Sequence, residues 1–277
     1  MAVCFLAFFA LIPPIFYFVT GYRLGADWSF VETGGLYIGA SKSGSEIYVN
    51  DQLKQTTNIL QNGVFLQGLK PSTYHIVVAK EGCWPWYKDL NVKAHLVSEA
   101  RAFNFLQDPK GKILKPEDIS ALGFSEYDDA LTLFNAQKLA IKKTMTVAST
   151  TATSSETISK NNKQKIYLEG GKKIWSQWLG DENSIPYYFC DQDNKCSDRV
   201  LVLDSDSAIR NIDFFPGRRD IIIFSSQNGV FATEIDGRGG RITQPIYKGK
   251  SPSFALSQSG SNIYIFDDNH LIKIEEI

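Results

Sequence analysis

The chain has 277 residues, 43% hydrophobic and 21% charged, with a formal net charge of −1. Those values fit one or two folded domains. They exclude a disordered polyelectrolyte and leave no bulk positive charge for nucleic acid or acidic lipid.

Ala2 to Thr20 carries no charge. About 20 apolar residues cross a bilayer core, so a transmembrane helix is expected, with 1–21 as a single-pass anchor. Pro13 and Pro14 would kink or end a helix, which a membrane tolerates when neighbouring groups re-satisfy the backbone. Tyr17, Tyr22 and Trp28 lie near one end, where interfacial aromatics belong. A cleavable signal peptide and a buried hydrophobic helix are the competing readings. No Lys or Arg precedes the apolar run, and Gly21-Tyr22-Arg23 makes a poor cleavage site, which favours the anchor. Arg23 leans against an exported C terminus by the positive-inside rule. The short N terminus carries no domain, however, and a cysteine pair further on suits oxidation. The expected location is the cell membrane, with the C-terminal domains extracytoplasmic.

From 32 to 106 the chain alternates like paired strands, with candidates at 34–39, 45–49, 63–66, 73–79, 87–92 and 97–105. Asn50-Asp51 supplies two residues that tolerate positive φ, as a tight hairpin needs. Short strands separated by turn signals predict a small β-sandwich. The stretch Ser43-Gly44-Ser45-Glu46-Ile47-Tyr48-Val49-Asn50-Asp51 resembles the first signature of the PEGA domain. Leu69-Lys70-Pro71-Ser72-Thr73-Tyr74 and Lys80-Glu81-Gly82-Cys83 are similar to its second. Ser45, Asp51, Ser72 and Cys83 stand where that family usually has Ala, Gly, Gly and Tyr. The resemblance implies a surface-exposed structural module without catalytic residues.

Trp84-Pro85-Trp86-Tyr87 is the most distinctive local cluster. Trp84, Trp86 and Tyr87 are the candidate binding residues, as a stacking platform for sugar rings or a partner protein. The competing reading, a packed sandwich edge, is favoured because Trp is highly buried on average.

Residues 107–164 read as a partly helical, Ser/Thr-rich linker. Lys115-Pro116-Glu117-Asp118 resembles a helix start, and Asp128 to Ile141 has helical spacing, with Leu131, Phe134 and Leu139 partly on one side. Thr144 to Ser159 reads as a flexible tether or an O-glycosylated stalk.

From 165 to 277 strand signals repeat. The clearest unit, Ile209 to Ile246, reads as strands at 212–215, 221–224 and 230–235, with turns between them. A weaker copy runs through 253–256, 262–266 and 270–274. A period near 40 is the signature of a propeller blade, and the stretch resembles WD-type β-propeller repeats. Its length accounts for fewer than three blades, whereas closed propellers usually have at least about four. Open edges or assembly of several chains are therefore expected.

Four cysteines are present. Cys190 and Cys196 enclose a short loop, read as a disulfide in an oxidising compartment or as two surface thiols. The spacing does not suit zinc. Asp191, Asp193, Asn194 and Asp198 depart from the alternating calcium loop because Lys195 and Cys196 interrupt it. His75, His95 and His270 have no partner residues in a catalytic context.

These observations predict a mainly β protein: an N-terminal transmembrane helix, a small PEGA-like β-sandwich, then partial β-propeller-like repeat sheets. The expected function is a non-enzymatic cell-envelope protein that binds surface polysaccharide or protein, with neither cofactor, metal nor nucleic acid. The alternative is an assembly or regulatory subunit that recruits a partner chain through open sheet edges.

Overall fold

A computed structural model describes residues 2–25, 28–117, 125–147, 156–257 and 262–276; side chains of 2–6 and 138–147 are not described. The chain is mainly β and divides into two compact units. The first comprises Met1–Glu81 and Pro85–Asn104, the second Gly82–Trp84 and Phe105–Ile277.

The first unit begins with α1 (Ala2–Val19), 18 residues without a charge and with Pro13 and Pro14 inside it. At 1.5 Å per residue it is about 27 Å long, against a hydrocarbon core of about 30 Å. Among the described residues no helix is long and apolar enough to cross a membrane. The expected transmembrane helix is thereby reduced to an uncharged N-terminal helix. A small hairpin, β1 (Tyr22–Leu24) and β2 (Phe30–Glu32), follows it.

Two further sheets form the body of this unit. They use β3 (Gly34–Gly39), β4 (Glu46–Val49), β5 (Gln52–Thr56), β6 (Gly63–Leu69), β7 (Ser72–Ala79), β8 (Trp86–Val92) and β9 (Val97–Arg101). One sheet runs β6-β3-β9 and the other β5-β4-β7-β8. The strands form because apolar residues alternate: Ile47 and Val49, Ile76 and Val78, Leu90 and Val92 all point inward. Asn50 and Asp51 take φ of 49° and 61° to turn β4 into β5, as their tolerance of the left-handed region allows. Gly34 is required where β3 starts, since a Cβ there would lie 2.1 Å from the Lys93 carbonyl oxygen. The polar, mostly exposed β5 lacks an apolar period, which is why the sequence pattern missed it.

The second unit contains β10 (Lys110–Ile113), α2 (Glu126–Val147), β11 (Glu156–Ile158), β12 (Gln164–Glu169), β13 (Lys173–Trp178), β14 (Arg199–Asp204), β15 (Ile212–Phe214), β16 (Ile221–Ser226), β17 (Gly229–Glu234), β18 (Thr243–Lys248), β19 (Ser253–Leu256), β20 (Ile263–Asp267) and β21 (His270–Glu276). They make three four-stranded sheets, ordered β11-β12-β13-β14, β15-β16-β17-β18 and β10-β21-β20-β19. All pairs are antiparallel. No sheet closes into a barrel among the described residues.

The expected linker at 107–164 is corrected in two places. Its start supplies β10, which pairs with β21, and its end supplies β11, which pairs with β12. These two edge strands complete sheets that the repeat at 165–277 left short. Every residue of β10 is exposed, so no apolar alternation marks it. Residues 115–117 form no helix; the helix starts instead at Glu126, where the Ser125 hydroxyl accepts the Asp128 N–H at 3.1 Å, as an N-cap does. Half of the expected tether, 148–155, lies outside the described residues, and 144–147 belong to α2.

Two apolar clusters hold this unit together. Ile166, Ile174, Trp178 and Phe189 pack with Ile212, Ile222 and Phe224 between the first two sheets. Ala130 and Phe134 of α2 pack with Leu114, Ala255, Tyr264 and Leu271 of the third. The Lys273 ammonium donates to Glu126 at 2.5 Å and ties α2 to β21. With Ala130 and Phe134 buried, α2 covers one face of that sheet.

Candidate functional site

The aromatic cluster singled out in the sequence does not form one platform. Trp86 lies on β8, where alternation turns it inward with Lys88, Leu90 and Val92, and it is 0% exposed. Tyr87 points the other way and is 54% exposed. Trp84 is half-buried in the segment grouped with the second unit. Strand geometry sends successive side chains to opposite faces, so Trp86 cannot share a stacking surface with Tyr87. Lys88 is 1% exposed, and its ammonium lies 6.0 Å from the Trp86 ring centroid. Nothing in the sequence distinguished this buried cation from the exposed lysines around it.

Cys190 and Cys196 form the expected disulfide. One carboxylate oxygen of Asp191 accepts the backbone N–H groups of Asp193 and Lys195 at 2.8 and 2.9 Å. Its role is to hold the small loop's turn. Among the described residues no group of three His, Cys, Asp or Glu is placed to hold a metal ion. His75 Nδ1 lies 2.7 Å from Asp89, and His95 Nδ1 lies 2.6 Å from the Thr20 carbonyl oxygen. Both contacts belong to the first unit's own hydrogen bonding. Neither brings a nucleophile to the imidazole.

The site with the most chemical content lies in the second unit, where one edge strand of each of its three sheets, β11, β15 and β19, comes together. β15 lies against β11 and β12, and β19 against β16. Polar side chains fasten the convergence. Asn211 donates to the Phe254 carbonyl at 2.7 Å, and Arg210 donates to the Pro252 carbonyl at 2.8 Å. The Gln164 amide donates to both the Ser176 hydroxyl and the Arg219 carbonyl at 3.0 Å.

A cavity of about 600 Å³ opens at this meeting point. Ile158 comes from the first sheet, Phe214 and Phe215 from the second and Leu256 from the third; they make its walls largely apolar. Lys160, Asp213, Arg218 and Arg219 bring the charges. Burial pushes the Asp213 carboxyl above its ordinary pKa, although the Phe214 N–H and the Lys160 charge pull it back. The Phe214 N–H donates to Asp213 at 2.7 Å. Arg218 is already committed, pairing with Asp220 through two hydrogen bonds of 2.8 and 2.6 Å. An apolar cleft with few polar groups and a perturbed carboxyl has the composition of a binding site. Sequence reading missed it because its residues come from separate sheets and share no motif.

A second cavity of about 600 Å³ lies between the disulfide loop and the turn at 236–241. Behind it sits a buried ion pair. Arg238 is 4% and Asp236 5% exposed. The guanidinium donates to both carboxylate oxygens at 3.0 and 2.8 Å, and the Arg238 N–H adds a third bond of 3.0 Å. Its guanidinium carbon also lies 4.9 Å from the Tyr187 ring centroid. Burial alone would lower the Arg238 pKa; the bonds and charge of Asp236, with Tyr187 and Glu234, outweigh it and leave the pKa raised.

No family model and no curated protein matches this chain. Among solved structures, a protein of Bacteroides fragilis NCTC 9343, described as membrane-associated and of unknown function, is similar at 9% identity and a TM-score of 0.22. The match covers 88% of this chain and 94% of that one.

Proposed function

We propose that the chain is a non-enzymatic, membrane-associated protein of the cell envelope that presents its two β units outside the cytoplasm to bind surface polymers or proteins. The observation that carries this reading is the end of α1. Its described side chains, Ala7 to Val19, are exposed and uncharged. The last carbonyls of the helix nevertheless have donors. Thr20 caps Phe16 through both its N–H and its hydroxyl, at 2.9 and 2.8 Å, and Arg23 donates to Phe18 at 2.8 Å. A helix end provided with donors in this way suits an apolar medium, where unpaired carbonyls are costly. Tyr17 stacks on Phe30 with centroids 4.8 Å apart, and aromatics of this kind belong at a membrane interface. The disulfide agrees with an oxidising compartment. The non-enzymatic reading rests on the sequence, which carries no catalytic motif. The three-stranded and four-stranded sheets in the body of the first unit favour a PEGA-like module, and the three four-stranded sheets of the second favour propeller-like repeats.

The test is fractionation of cells expressing the full chain. The protein should stay with membranes after a carbonate wash, and external protease on spheroplasts should digest both β units. Release by carbonate, or protection of both units, would overturn the proposal.

The alternative, recruitment of a partner chain through an open sheet edge, is favoured by β5. That strand is mostly exposed, with Leu53 52% exposed, and terminates its sheet, and such edges accept further strands. A strictly monomeric chain by light scattering, with no co-purifying partner, would remove this alternative.

A further inference from the structure

The cavity where β11, β15 and β19 converge has a charge pattern that selects among ligands. Its walls, Ile158, Phe214, Phe215 and Leu256, take an apolar body. Around them stand three cations, Lys160, Arg218 and Arg219, and one acid, Asp213. The bidentate bonds to Asp220 occupy Arg218, and the charge of Lys160 acts on Asp213. Arg219, exposed at the rim, leaves the balance positive. Apolar walls beneath a positive rim suit a molecule with one apolar end and one anionic end, because the body is drawn out of water while guanidinium and ammonium groups bind carboxylate.

We propose that this cavity is a binding site for a small amphipathic carboxylate, with its aliphatic or aromatic body between Ile158, Phe214 and Leu256 and its carboxylate held by Lys160 and Arg219. The site goes beyond the envelope reading and does not depend on where the chain resides. The three sheets each contribute a wall, so the pocket is preformed by the packing that holds this unit together.

Three probes with one shared body test this: 4-phenylbutyrate, 4-phenyl-1-butanol and 4-phenylbutylamine. Binding is measured by calorimetry on the full chain in lipid nanodiscs, with empty nanodiscs subtracted. The acid should bind with one-to-one stoichiometry and at least about tenfold tighter than the alcohol, and the amine should be weakest. The double variant Lys160→Ala/Arg219→Ala should bind the acid no better than the alcohol while leaving the alcohol's affinity unchanged. Asp213→Asn should tighten the acid severalfold. Equal affinities for acid and alcohol in the unaltered chain, preference for the amine, or no saturable binding of any probe would each overturn the proposal. None of these outcomes bears on membrane fractionation, so this inference and the envelope reading fail separately.

Discussion

Removing the Asp236 carboxylate should be among the most damaging single changes available in the second unit. Asp236→Ala deletes three hydrogen bonds to Arg238, of 3.0, 3.0 and 2.8 Å. It also takes the hydrogen-bonded counter-charge away from a guanidinium that is 4% exposed. Breaking a buried pair from one side costs about 3–5 kcal/mol, which for a unit of this size lowers the melting temperature by about 6–20 °C. Differential scanning calorimetry at neutral pH reads the shift. The loss comes from the buried charge left behind rather than from the lost contacts. Asp236→Ala/Arg238→Met should therefore recover most of the stability, because methionine fills the space beside the Tyr187 ring without a charge to solvate. An Asp236→Ala variant within about 1 kcal/mol of the unaltered chain would refute the argument. So would a double variant as unstable as the sum of the two singles.

Trp86→Ala should cost about 3–5 kcal/mol in urea unfolding and Tyr87→Ala less than about 0.5 kcal/mol, since the first ring is 0% and the second 54% exposed; a larger loss for Tyr87 would place the core on the other face of β8. Cys190→Ser/Cys196→Ser should lose about 2 kcal/mol, the chain-entropy value for so short a loop, seen as a lower urea midpoint with an unchanged slope. Asp213 has a folded pKa above its unfolded value near 3.9, so folding holds its proton more tightly and stability falls as pH rises through the window between the two. Asp213→Asn, which keeps an acceptor for the Phe214 N–H, should be more stable than the unaltered chain above that window and equal to it below; a stability–pH curve identical to that of the unaltered chain would contradict this assignment.

Much of the architecture was legible in the chain itself. Local period and turn chemistry sufficed for β3, β4, β7, β16 and β17. The Asn50-Asp51 hairpin followed from two residues that accept positive φ. The disulfide was legible because its cysteines are six positions apart, close enough for the loop to be read locally. The length and lack of charge in α1 were legible too, although its 18 residues fall short of a bilayer core.

Tertiary structure alone decided what depends on distant pairing. Lys110–Ile113 has no apolar alternation, because an exposed edge strand needs none, and only its hydrogen bonds to β21 make it a strand. The aromatic run at 84–87 read as one cluster because proximity in sequence resembles proximity in space; the pleat of β8 buried Trp86 and exposed Tyr87. The Asp236–Arg238 pair is only two positions apart in sequence, yet its importance comes from burial, which neighbouring strands impose. The cavity around Asp213 takes its walls from three sheets. Side-chain chemistry and local period are written in the order of residues, whereas burial, charge pairing and convergence arise only when strands far apart in the chain close on one another.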